Sequence, residues 1–219
     1  MPQKSHPVLL ERHAFVQVEV PAWSALIASR PDLAAEPLVV DWVKRGFPLI
    51  VRRSAGDDGR QVDLGLPLPP SHDKRRIAVT LPCNAITGTT RPPLLVDAEH
   101  IAPAHWRPYI ARLAGLATDV RCFGSLAWQY RTGLPYMTER SDVDLLWPLP
   151  AADAVEGLLA GIAAIAAEAP MGIDGEIVTA TGGVNWRELY GRAVDEVLVK
   201  GLRDVGVMPR AVFLAGAAL

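Results

Sequence analysis

Two aspartates alternate inside an apolar run, Ser141-Asp142-Val143-Asp144-Leu145-Leu146-Trp147, and this constrains the chain more than any other feature. Asp is among the residues that strands usually avoid. At a strand period of two, Asp142 and Asp144 share one face while Val143 and Leu145 take the other. Two carboxylates then stand about 7 Å apart along a stiff backbone, close enough to hold divalent cations between them. Upstream, the apolar segment Val120 to Phe123 runs into Gly124-Ser125 and a helical pattern. Glycine there lets a ligand approach the backbone, and a helix start offers unpaired N–H groups to an anion. A phosphate cradle and a carboxylate clamp so close in sequence point to metal-assisted chemistry on a polyphosphate.

The rest of the chain narrows the class. Its 219 residues are half apolar and 21% charged, the composition of a soluble globular protein of one domain or two small ones. A net charge of −2 argues against a nucleic-acid coat or a basic membrane surface. The opening Met1 to Pro7 lacks the apolar core of a signal peptide, and the most apolar segment, Gly157 to Ala167, is too short to span a bilayer. Cys83 and Cys122 are far apart and show no metal-ligand spacing, so a reduced, cytoplasmic setting is expected. His100 and His105 are five apart, which does not align them on one helix face, and the histidines make no zinc pattern.

Periodicity predicts a small N-terminal α+β unit, residues 1–86, and a second α+β unit, 87–219. In the first, a strand over Ala14 to Val20 precedes helices over Pro21 to Ser29 and Leu38 to Arg45. Three strands follow, Phe47 to Arg53, Gln61 to Leu66 and Arg76 to Leu81, with a turn signal at Ser54 to Gly59. Arg52, Arg53, Lys74, Arg75 and Arg76 read as one basic cluster, either a solvated rim or a docking surface for an acidic partner or phosphate. The stretch Thr87 to Pro93, rich in residues that stop regular structure, is the expected boundary.

In the second unit, Trp106, Ile110, Leu113 and Ala117 place an amphipathic helix over Pro103 to Ala117. Strand Val120 to Phe123, helix Ser125 to Arg131 and strand Val143 to Trp147 lead to a helix over Ala151 to Glu168. Gly172 to Val178 reads as another strand, which sets Asp174 and Glu176 on one face. Asn185 caps a helix over Trp186 to Ala193, and Val197 to Lys200 is ambiguous. Arg140 and Lys200 are candidates for phosphate neutralisation. Trp128 and Trp147 suit either stacking on adenine or the core.

These residues resemble a family. Gly124-Ser125 followed by Ser141-Asp142-Val143-Asp144 looks like the signature of the polymerase-beta-type nucleotidyltransferases. The longer pattern is similar to the phosphoribosyl-dephospho-CoA transferases of malonate decarboxylase, the MdcG family. It runs through Phe123 to Gln129, Thr132-Gly133-Leu134-Pro135-Tyr136 and Ser141 to Trp147. It continues in Asp174-Gly175-Glu176, Asn185-Trp186-Arg187-Glu188-Leu189 and Val199-Lys200, and at the front in Arg12-His13 and Pro48 to Arg53. Sixteen residues separate Ser125 from Asp142, longer than in minimal nucleotidyltransferases and in keeping with the specialised family.

The resemblance implies a nucleotidyltransferase-type mixed sheet with helices behind the small N-terminal domain. It implies transfer of a phosphoribosyl-dephospho-CoA group from 2′-(5″-triphosphoribosyl)-3′-dephospho-CoA to a serine of the apo acyl carrier protein of malonate decarboxylase, with release of pyrophosphate. Two Mg²⁺ ions on Asp142 and Asp144 would serve that chemistry, with a third acid from Asp174 or Glu176, and Asp174 favoured. Gly124, Ser125, Arg140 and Lys200 would hold phosphates, and Arg52, Arg53 and Arg75 would meet the acidic carrier. No nucleic acid or membrane is implied. Transfer of a nucleoside monophosphate from ATP or CTP, and a non-catalytic carrier-binding module, are the alternatives.

Overall fold

The alternating runs build two separate sheets in a computed structural model that describes residues 10–53, 60–191 and 195–216. Contacts divide the chain into Met1–Arg91 and Pro92–Leu219. The first unit runs β1 (Phe15–Val18), α1 (Val20–Ala28), α2 (Pro31–Ala34), α3 (Pro37–Val40), β2 (Leu49–Val51), β3 (Gln61–Pro67), β4 (Arg76–Pro82) and β5 (Ile86–Thr90). Its five strands pair antiparallel in the order β4-β3-β2-β1-β5. Ile77, Val79 and Leu81 turn inward along β4 while their neighbours face out, the alternation expected of a sheet with one wet face. The turn signal at 54–59 lies outside the described residues.

One expectation needs correction in this unit. The stretch at Thr87 to Thr90 is an edge strand paired with β1, because three β-branched threonines accept an extended backbone that one glycine does not break. The contacts part after Arg91, within the expected stretch Thr87 to Pro93. The backbones of the basic residues meet β3 at two places. Arg52 N–H donates to the Asp63 carbonyl at one end of β3, whereas Leu68 N–H donates to the Arg75 carbonyl just past the other. Five residues of strand, about 17 Å, separate these positions. The Arg52 side chain runs back over Gly65, which pairs with Ala78, two residues from Arg76.

The second unit runs α4 (Leu95–Ala98), α5 (Arg107–Ala114), β6 (Arg121–Phe123), α6 (Gly124–Thr132), β7 (Val143–Pro148), α7 (Val155–Glu168), β8 (Ile173–Val178), β9 (Gly183–Asn185), α8 (Trp186–Tyr190), β10 (Glu196–Lys200), β11 (Val205–Pro209) and α9 (Arg210–Leu214). Its six strands follow the order β11-β10-β9-β8-β7-β6, with only β7 and β8 parallel. That parallel pair is joined by a crossover through α7, as parallel strands require. One face of the sheet is buried: Cys122, Val143, Leu145, Trp147, Ile173, Ile177, Val184, Val197 and Val199. Helix α7 packs against α5 and α8 and contributes Leu158, Leu159, Ile162 and Ile165 to the core. The ambiguous Val197 to Lys200 segment is strand, because β11 pairs along its whole length. Among the described residues no helix is long and apolar enough to cross a membrane.

Candidate active site

The face of the second sheet opposite its core carries the charge. Phe123 pairs with Asp144, and Asp144 pairs with Asp174, so three adjacent strands bring these positions level. Residues in register share a face, so the two carboxylates sit on neighbouring strands about 5 Å apart at the backbone. Glu176 is level with Leu146 instead, one pleat further along.

Glycines seat the two motif aspartates. Gly124 has φ +60°, and a side chain there would collide with the Asp144 carboxylate, its Cβ falling 2.8 Å from the Asp144 Cγ. Position 124 therefore needs glycine twice over, for its left-handed backbone and for its missing Cβ. Asp142 is exposed and lies against Gly172 in the same manner, 2.8 Å separating its Cγ from the place a Cβ would take. Val143 N–H donates to the Gly172 carbonyl, which ties the first residue of β7 to the strand beside it. Gly172 was legible only as the start of a strand.

The long spacer is a built loop. Gln129 on α6 accepts hydrogen bonds from the backbone N–H groups of Tyr136 (3.1 Å) and Met137 (3.0 Å). Ser141, 7% exposed, accepts from Thr138 N–H at 2.9 Å. Tyr136 stacks on Trp128 with ring centres 5.9 Å apart, and its burial pushes the phenol pKa upward. The loop thus hands the chain to Asp142 in a fixed position. Both Trp128 and Trp147 are core residues, at 4% and 0% exposure, so neither offers a face to adenine. Cys122 is also buried, its thiol pushed up to about 12 by desolvation, which keeps it out of nucleophilic chemistry.

The remaining candidates lie on β8 and its neighbours, in the loop ahead of Asp142 and in the first turn of α6. Asn185 caps α8 by accepting from Arg187 N–H, and its Nδ2 donates to Asp174 Oδ1 at 2.8 Å. The Arg187 guanidinium lies 3.5 Å from the same oxygen. Lys200 Nζ lies 3.5 Å from Glu176 Oε1, and Glu176 is only 5% exposed. The pair bridges β8 and β10 across Gly183. Arg140 is exposed in the loop ahead of Asp142, and Ser125 is half-buried in the first turn of α6. The role of Asn185 at Asp174 escaped the sequence, where its side chain had a cap to make and no visible reason to reach β8.

Lys200→Met should therefore cost stability: a nearly buried carboxylate loses one cationic partner, worth about 2 kcal/mol. Thermal unfolding should show it, with Glu176→Gln in the same background restoring part of the loss.

As a donor set, the motif pair fits magnesium. Mg²⁺ takes hard oxygen ligands and is usually held by one or two carboxylates with substrate phosphates and water completing its shell. Asp142 and Asp144 supply such oxygens, and among the described residues no three His, Cys, Asp or Glu side chains gather into a full protein cage.

Comparison with known proteins covers both units. The C-terminal domain model of phosphoribosyl-dephospho-CoA transferase MdcG matches residues 94–211, and the N-terminal domain model matches residues 11–92. The chain belongs to the MdcG family. A phosphoribosyl-dephospho-CoA transferase of Bradyrhizobium diazoefficiens is 43% identical over 211 residues, covering 94% of this chain and 93% of the relative. Proteins of the same description from Xanthomonas campestris pv. campestris and Xanthomonas euvesicatoria pv. vesicatoria are 37% and 34% identical, over 91% of this chain and 94% of each relative. No solved structure matches. An MdcG chain is a transferase, and its reaction class is transfer of phosphoribosyl-dephospho-CoA.

Proposed function

We propose that the open face of the mixed sheet is a nucleotidyltransferase-type active site. It moves the phosphoribosyl-dephospho-CoA group from 2′-(5″-triphosphoribosyl)-3′-dephospho-CoA to a serine of the apo acyl carrier protein of malonate decarboxylase. The serine oxygen forms a bond to the α-phosphorus of the triphosphate, the α–β anhydride bond breaks, and pyrophosphate leaves. Phosphoryl transfer of this kind asks for positioning and charge neutralisation, with no covalent enzyme intermediate. The observation that carries the reading is the level row Phe123, Asp144 and Asp174, with Gly124 opening α6 directly against the Asp144 carboxylate.

Asp142 and Asp144 are the residues that would hold magnesium, with Asp174 alongside as the third acid. The ion, when bound, neutralises triphosphate charge and lowers the pKa of the attacking hydroxyl. Asp174, oriented by Asn185, receives the serine proton. Glu176 acts through Lys200, holding its ammonium on the phosphate side of the sheet. Ser125 and the first N–H groups of α6 hold terminal phosphates. The exposed arginines Arg52, Arg53 and Arg75 of the first unit offer charge to an acidic carrier.

Incubation with the triphosphoribosyl donor, Mg²⁺ and apo carrier should add the prosthetic-group mass to one carrier serine and release one pyrophosphate per adduct. Absence of the adduct overturns the reading. Pyrophosphate release from ATP with a simple acceptor favours nucleoside monophosphate transfer in its place.

A further inference from the structure

Arg187 stands at the site, beside Asp174. Its side chain is 54% exposed, yet it is held in place twice. It lies 4.6 Å over the Trp186 ring, which is itself buried and donates from Nε1 to the Ile173 carbonyl of β8. It also faces Asp174 Oδ1 at 3.5 Å, the oxygen that Asn185 already binds at 2.8 Å. Asn185 links both contacts: its Oδ1 accepts the Arg187 N–H as a helix cap, and its Nδ2 holds the carboxylate. An aromatic platform of this kind sets a guanidinium's direction without burying it. A half-exposed ion pair adds little stability and is easily exchanged for a better anion.

We infer that Arg187 is the donor's triphosphate-binding arginine, parked on Asp174 until the triphosphate arrives. A planar fork suits two phosphate oxygens at once, which the point charge of Lys200 does not. Facing one oxygen of the third acid, Arg187 competes with a divalent cation for Asp174. When the triphosphate enters, the guanidinium turns to it and frees that oxygen. Asn185, fixed by the α8 cap, keeps Asp174 oriented through the exchange. The assignment rests on the proposed reading of the open face as a triphosphate site.

Two binding measurements on the full chain test it, neither of which needs turnover. Inorganic tripolyphosphate with Mg²⁺ serves as the probe for the donor's triphosphate end. Arg187→Ala should weaken its binding about tenfold, the value of a charge-assisted hydrogen bond, and Arg187→Lys should recover only part. Titration with Mg²⁺ alone should move the other way, Arg187→Ala binding roughly twofold to fivefold more tightly than wild type once the competing cation is gone. The opposite signs separate this role from general loss of structure, which weakens both. Unchanged tripolyphosphate affinity, or Mg²⁺ affinity that is unchanged or lower, overturns the assignment. Wild-type protein that binds no tripolyphosphate removes the underlying reading instead, a result distinguishable because the variants are then never compared.

Discussion

Asp144→Asn should lower kcat by about 10³-fold or more while the protein melts within a few degrees of wild type. The size follows from what the carboxylate would do: holding a cation against a polyphosphate is worth several kcal/mol in the transition state, and each 1.4 kcal/mol or so is tenfold. The small stability effect follows from geometry. Asn has the shape of Asp, so it fits the space left by Gly124, and the side chain is only partly buried. No cavity forms and no strand pairing is lost. Asp142→Asn should behave alike, since Asp142 is exposed and its seat on Gly172 tolerates the same swap. Carrier acylation followed by mass spectrometry gives the rate, and scanning calorimetry gives the fold. A variant that keeps more than a tenth of the activity removes the metal-clamp account of the motif pair.

The period of two made that pair legible: a side chain's face on a strand follows from counting, and Asp142, Asp144, Asp174 and Glu176 were all countable. Register was not. Which acid stands beside Asp144 depends on how β7 and β8 slide against each other, and the structure puts Asp174 level and Glu176 one pleat away. Long-range contacts were equally hidden. Nothing near Asn185 in the chain announces Asp174, and the slots left by Gly124 and Gly172 exist only once a distant carboxylate fills them. At Thr87 to Thr90 local composition misled: threonine and glycine stop helices more than they stop edge strands.

Gly175→Ala should be among the most damaging single substitutions available to this chain, and it tests the register directly. Gly175 has φ +153°, a backbone that L side chains rarely adopt. A Cβ there would run into the Leu145 carbonyl oxygen of the paired strand, and would sit 2.7 Å from a ring carbon of Trp147. Neither neighbour can yield: the first is backbone inside the β7–β8 ladder, and the second is a tryptophan with 0% exposure. Strain and overpacking together should cost about 4 kcal/mol or more, a fall in Tm of roughly 10 °C or beyond for a chain of this size. Gly157→Ala supplies the contrast. That glycine is exposed on α7 with nothing near its missing Cβ, so alanine there should stabilise by up to about 1 kcal/mol. The site feels Gly175 as well, because Asp174 and Glu176 flank it and depend on the same ladder to meet Asp144 and Lys200. Whatever Gly175→Ala protein still folds should therefore bind Mg²⁺ more weakly than wild type. Equal stability for the two alanine variants would mean that β7 and β8 do not pair in this register, and the level row of carboxylates would go with it.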